Sequence, residues 1–148
     1  MQTITITIPI VPRAQKRARS RIAGRPGKQF VQVYTDTAQR TEQDNFRALL
    51  YQSLPDGFAP ISGAVSLSVI AFMPIPACSK RQYSNYRNDL IFHTKKPDLD
   101  NLVKHVKDCC KGVVWLDDKQ VVNLLASKKY GEPARWEIQI GLEVANAG

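Results

Sequence analysis

Asp98 and Asp100 stand two residues apart in KKPDLDNLVKHVKD, residues 95–108, with lysines on both sides. Inside a helix, side chains two apart point about 200° from each other and cannot serve one site. Pro97 changes that expectation. It biases Lys96 toward extended backbone, and in extended chain residues i and i+2 share a side. The two acids then converge if the helix begins after them, with Leu99 turned to the core and Asp100 as the N-cap. Lys104, four residues on, falls over Asp100 on the same face. Taken alone, such a pair reads more simply as cap and dipole partners of a helix.

A second acidic pair changes the balance. VVWLDDKQVV places Asp117 and Asp118 after an apolar run, and adjacent residues in extended chain face opposite sides, so one of them is expected to point inward. A helix of about 12 residues covers ~18 Å, and GVVWL, read as extended, returns ~16 Å of it. Asp117 or Asp118 is thereby brought back toward Asp98 and Asp100. Three carboxylates in one pocket repel unless a cation joins them, and all-oxygen ligands select a hard ion, Mg²⁺ first, with Mn²⁺ as a substitute. Such an ion would polarise a phosphodiester and activate water for in-line attack.

The rest of the composition suits that substrate. The 148 residues carry 21 Lys and Arg against 13 Asp and Glu, a formal charge of +8. An excess of this size points to a polyanion, most commonly nucleic acid. The run from Arg13 to Lys28 holds seven basic residues and no acid: Arg13, Lys16, Arg17, Arg19, Arg21, Arg25 and Lys28. Gly24, Pro26 and Gly27 argue against a regular element there, so it is read as a mobile basic loop, residues 12–28, that orders on DNA phosphates. Lys80, Arg81 and Arg87 interleave with Tyr83 and Tyr86, which suits backbone contact with base stacking, and equally a short surface helix packed by its tyrosines. MQTITITIPIVPR has neither the basic start nor the apolar stretch of a signal peptide. No run approaches the ~18 apolar residues of a membrane span. Three cysteines, Cys78, Cys109 and Cys110, do not make a disulfide framework. The expectation is a cytoplasmic protein with free thiols. Cys78, His93, His105 and Cys109 match no zinc spacing and are read as ordinary surface or core residues.

The elements that must position the acids follow from periodicity. Thr3–Ile8 and Phe30–Thr35 read as strands, residues 37–54 as a helix capped by Asp36 or Thr37, and Val65, Leu67, Val69 and Ala71 as one face of a strand. Leu99, Leu102, Val103, Val106 and Cys110 form the apolar stripe of a helix over about residues 100–111. QVVNLLASKKY and RWEIQIGLEV, joined by GEPA, read as a hairpin. The expected fold is a single α/β domain with one mixed β-sheet and two main helices packed on it.

The core KPDLDNLVKHVKD…GVVWLDDKQV resembles the RusA family of Holliday junction resolvases of bacteria and their phages: D-x-D-N-x-x-K, a helix, then an apolar run ending in D-D-x-Q-V. The residues that carry it are Asp98, Asp100, Asn101, Lys104, Asp117, Asp118, Gln120 and Val121. IPIVPRAQKRAR resembles the family's opening. The resemblance implies a homodimeric, Mg²⁺-dependent endonuclease that nicks two strands of a four-way junction symmetrically, in recombination and repair. It implies Asp98, Asp100 and Asp118 as metal ligands and Lys104 as the site lysine, and it leaves Asp117 without a fixed role. Lys104 stays charged unless buried, so it suits charge stabilisation rather than general base work. The DNA-binding set expected with it is Arg13, Lys16, Arg17, Arg19, Arg21, Lys95 and Lys96. Where the family often has a basic residue directly before its first aspartate, this chain has Pro97, with Lys95 and Lys96 just before it. The competing readings are a non-catalytic binder of branched DNA, a less selective branched or flap nuclease, and an interaction protein whose charge is incidental.

Overall fold

The structure, a computed structural model, describes residues 2–15, 19–34 and 37–145. Lys16, Arg17 and Asp36 lie outside the described residues. In chain order the elements are β1 (Thr3–Ile8), β2 (Arg19–Arg25), β3 (Lys28–Tyr34), α1 (Thr37–Ser53), β4 (Val65–Met73), α2 (Lys80–Arg87), α3 (Leu99–Cys110), a 3₁₀ turn (Asp118–Gln120), β5 (Val121–Tyr130) and β6 (Arg135–Leu142). This is a single α/β domain, as the periodicities imply. A mixed four-stranded sheet runs β1-β6-β4-β5, and β2 and β3 form a separate two-stranded ribbon.

Alternation decides which sheet face is buried. Val65, Leu67, Val69, Ala71 and Met73 of β4 are buried, as are Trp136, Ile138 and Ile140 of β6 and Ile6 and Ile8 of β1. Phe46 and Leu50 of α1 and Leu102, Val106, Cys109 and Cys110 of α3 join them in one core. α3 therefore lies on the sheet through the stripe expected of it, except that Leu99 is only half-buried and His105 is wholly buried.

Three expectations are corrected. First, β5 and β6 are not a hairpin. β4 lies between them, parallel to β5 and antiparallel to β6. Alternation reports which face is buried and not which strand is the neighbour. Second, the basic run is a strand from Arg19, paired with β3 from Arg19↔Tyr34 to Arg25↔Lys28. The glycines expected to break it allow its turn. Gly24 has φ +108°, and a Cβ there would meet the Lys28 carbonyl oxygen at 2.2 Å. Third, α3 begins at Leu99, with Asp98 at the N-cap, so Asp100 lies in the first turn and is not the cap. The tyrosines of α2 follow their structural reading. Tyr86 packs edge-on against Tyr130 with ring centroids 4.6 Å apart, and the Tyr83 hydroxyl donates to Glu132.

His105 gives the core a pH dependence. It stacks on Trp136 with the rings 20° apart and meets Phe46 edge-on. Its Nδ1 is buried without a hydrogen-bond partner. Burial first, then the charge of Arg47, lowers its pKa to about 4. The neutral ring is thus the folded form. Its contribution is complete above pH ~6.5, the ordinary value for histidine, and is lost as pH falls toward the folded value. We expect unfolding free energy to drop by roughly 3 kcal/mol across that window from this residue. Urea denaturation from pH 7 to 4 should show the slope in wild type and much less of it in His105→Leu. An equal slope in both would assign it to other groups.

Candidate active site

The acids are positioned by the two ends of one structural unit, α3 and the turn that follows it. At the start, the chain enters α3 in extended conformation at Asp98, with φ −70° and ψ 145°. Two outside contacts hold this entry. Lys128 of β5 donates from Nζ to the carbonyls of Lys95 at 2.7 Å and Pro97 at 2.8 Å. The Gln15 backbone N–H donates to the Asn101 carbonyl at 3.3 Å, laying the N-terminal segment along the first turn.

At the other end, GVVWL does not run back along the helix as an extended strand. It closes a tight turn. Val113 and Val114 donate backbone N–H groups to the Cys110 carbonyl, and Gly112 donates to the Trp115 carbonyl at 2.7 Å. Gly112 permits this with φ +79°. The wholly buried side chains of Val114 and Trp115 anchor the turn in the core. Asp118 consequently faces the exposed side of α3, where it shares a cavity with Asp100, Lys104 and Asp108.

Asp117 and Asp118 divide the labour between them. Asp117 caps the 3₁₀ turn. Its carboxylate accepts from the Lys119 N–H at 3.0 Å, and its own N–H donates to Gln120 Oε1 at 2.7 Å. The Lys119 N–H is the main cause of a pKa held below the usual carboxylate value. Gln120 Nε2 in turn donates to the carbonyls of Ile61 and Gly63, which ties the turn to the body. Asp118 is the inward member of the pair: its Oδ1 accepts from Trp115 Nε1 at 2.9 Å.

Two cavities adjoin the start of α3. One, of about 330 Å³, is lined by Asp100, Val103, Lys104, Lys107, Asp108 and Asp118. It joins acids from both pairs to two lysines. The other, of about 700 Å³, is lined by residues 12–15, Lys96, Pro97, Asp98 and Asn101. Arg13 and Lys96 flank Asp98 there. The structure thus brings Asp100, Lys104 and Asp118 together, and separately Arg13, Lys96, Asp98 and Asn101. It does not bring Asp98 into the cavity of Asp100 and Asp118. Among the described residues no three His, Cys, Asp or Glu are grouped to hold a metal ion. α3 starts earlier than expected, with Asp98 in extended conformation at the cap and Asp100 inside the first turn.

Of the remaining basic residues, Arg21 lies on β2, where its Nε donates to Gln32 Oε1 at 2.9 Å. Arg19 opens the same strand. Lys95 is exposed beside Lys96, its carbonyl taken by Lys128. Sequence reasoning missed Lys107, Asp108, Trp115 and Lys128. Lys107 and Asp108 had a legible signal, because they follow Asp100 and Lys104 at helical spacing. Trp115 read only as core, and nothing local marks Lys128 as a partner of carbonyls some thirty residues away.

The zinc-like residues are accounted for by packing. Cys109 Sγ lies 3.8 Å from His105 Nε2 inside the core, and burial pushes its thiol up to about 12. A thiol so protonated is neither nucleophile nor ready ligand.

The family model described as Endodeoxyribonuclease RusA matches residues 9–141 of the chain. A protein of Bacillus subtilis (strain 168), called uncharacterized protein YqaN, is 36% identical over 144 residues, covering 95% of this chain and 96% of the relative.

Proposed function

Because the chain belongs to the RusA endodeoxyribonuclease family, we propose that it is a Mg²⁺-dependent resolvase of four-way DNA junctions. It cuts by paired symmetric nicks and acts in recombination and repair in the cytoplasm of a bacterial or phage-infected cell. The observation that carries the reading is the cavity in which Asp100 and Asp118 meet Lys104 and Lys107. Two carboxylates suit Mg²⁺, which is commonly held by one or two of them and completes its shell with water and phosphate oxygens. Asp100 and Asp118 would hold the ion, or Mn²⁺ in its place. Asp98, the third carboxylate of the motif, stands in the neighbouring cavity, so the pair carries the proposal. When bound, the ion supplies a Lewis acid for the phosphate and lowers the pKa of water.

The chain's own residues do the rest. Lys104 and Lys107 balance the charge that grows on the phosphate oxygens in the transition state. Trp115 fixes the direction of the Asp118 carboxylate through its indole N–H. Arg13 and Lys96 hold the neighbouring stretch of backbone, which sets the scissile bond over the acids. Water adds to phosphorus as the bond to the 3′ oxygen breaks, leaving a 5′-phosphate and a 3′-hydroxyl. Two nicks on a two-fold junction match a C2 homodimer with one site per subunit. A second reading, a non-catalytic binder of branched DNA, is favoured by the finding that among the described residues no three metal-binding side chains are grouped.

A labelled synthetic junction and a linear duplex, each incubated with Mg²⁺ and with EDTA, separate these readings. The expected result is paired nicks placed symmetrically about the branch point, on the junction only and with Mg²⁺ only. Binding without nicks would leave the binder. Equal cutting of duplex and flaps would leave the less selective nuclease.

A further inference from the structure

The β2–β3 ribbon stands apart from the rest of the fold. Among the described residues, none of its apolar side chains belongs to the core or to the residues packed against it. A two-stranded hairpin alone is only marginally stable in water, and three of its four large apolar residues sit on one uncovered face. The register sorts its side chains. Arg21↔Gln32, Ala23↔Phe30 and Arg25↔Lys28 share one face, while Ser20↔Val33, Ile22↔Val31 and Gly24↔Gln29 share the other. The first face carries three cations and Phe30. The second carries no charge, and Ile22, Val31 and Val33 on it are 72%, 68% and 67% exposed.

Charge selects what covers that second face. Between Arg13 and Tyr34 there is no Asp or Glu. A second copy of the ribbon could cover the apolar face but would leave the cationic face without a counter-charge, whereas DNA at a branch point can meet both faces. Intact duplex offers phosphates but hides its base faces by stacking. A branch point offers both, because stacking is interrupted where strands exchange. Apolar side chains backed by nearby cations are a combination that DNA-bending proteins use to cover unstacked base steps.

We propose that the ribbon reads the branch point: Ile22, Val31 and Val33 cover base faces exposed at the strand exchange, while Arg21, Arg25 and Lys28 hold the flanking phosphates. This rests on the junction reading above. It adds that preference for a junction over duplex resides in an apolar face away from the acids.

The test compares wild type with the triple variant Ile22→Thr/Val31→Thr/Val33→Thr, which keeps β-branched residues and every charge. Affinity is measured for a junction and for a linear duplex of the same sequence, with 2-aminopurine placed at the branch point or within an arm. Wild type should raise the fluorescence of the branch-point probe and not of the arm probe. The triple variant should lose that rise and at least ~10-fold in junction affinity, the scale of one lost base-stacking contact. Its duplex affinity and salt dependence should be unchanged. Arg21→Gln/Arg25→Gln/Lys28→Gln should instead weaken both substrates and flatten the salt dependence. Since the ribbon lies outside the core, the melting temperature of the triple variant should match wild type. The proposal is overturned if the triple variant binds the junction like wild type or loses junction and duplex equally. It is equally overturned if the variant only lowers the mass seen in sedimentation, which would make the face a contact between copies. Failure of the junction reading itself looks different: wild type then neither prefers nor cuts the junction.

Discussion

Asp118→Asn and Asp100→Asn should each lower the single-turnover rate of junction cutting by at least ~10³-fold, equivalent to ~4 kcal/mol of transition-state stabilisation. Both carboxylates line one cavity, and the third acid there, Asp108, stands about two helical turns from Asp100. Asp117 is committed to the 3₁₀ turn through the Lys119 N–H, and Asp98 lines the other cavity. Asparagine keeps the shape and removes the charge, so junction affinity in EDTA should stay within ~3-fold of wild type or rise slightly, since phosphate contacts dominate binding. The measurement is burst cleavage of a labelled junction beside a gel-shift titration. Full cutting by Asp118→Asn would remove Asp118 from the chemistry and leave the indole contact as its whole function. Asp117→Asn is the internal contrast, and its loss should appear in stability before it appears in rate.

Trp115→Phe should be the next most damaging change, although Trp115 touches no DNA. Its indole N–H holds Asp118 Oδ1 at 2.9 Å, and its ring is wholly buried beneath the turn. Phenylalanine removes the donor and leaves a small void, costing about 1–3 kcal/mol of stability. The larger consequence is for the carboxylate. Loss of an orienting partner behind a metal ligand typically costs ~10–100-fold in metal affinity or activity. The expected signature is a rise in the Mg²⁺ concentration for half-maximal rate, with little change in KM for the junction. A merely structural role would lower the melting temperature and leave the Mg²⁺ dependence unmoved. That outcome would detach Trp115 from the site.

Several parts of this site are legible in the amino-acid sequence. The stripe Leu102, Val103, Val106 and Cys110 marks the buried side of α3, and that alone places Asp100 and Lys104 on the exposed side. The doubled acid Asp117-Asp118 implies one inward carboxylate, and Asp118 is that one. The path between them is not legible there. A run of apolar residues such as GVVWL is compatible with a strand or with a buried turn. The choice falls to Gly112 with its positive φ and to two side chains that fill the core. A similar ambiguity lets the spacing suggest Asp100 as the cap, where the structure has Asp98. The start of a helix shifts by a residue or two at small energetic cost, and here it lies two residues earlier, with Asp98 at the cap and Asp100 in the first turn.

Legible in the amino-acid sequence, then, are an α/β domain, the buried faces of β1, β4, β6 and α3, and two acidic pairs within a basic chain. Each of these is written in local periodicity or composition, which short-range backbone geometry translates directly. The tertiary structure alone decided that β4 separates β5 from β6, that Lys128 reaches the carbonyls of Lys95 and Pro97, and that the basic run pairs with β3 as a two-faced ribbon. It also decided that Asp118 shares a cavity with Asp100 and Asp108. Those are contacts between residues far apart in the chain. Periodicity says which way a side chain faces, and only the packed fold says what stands opposite it.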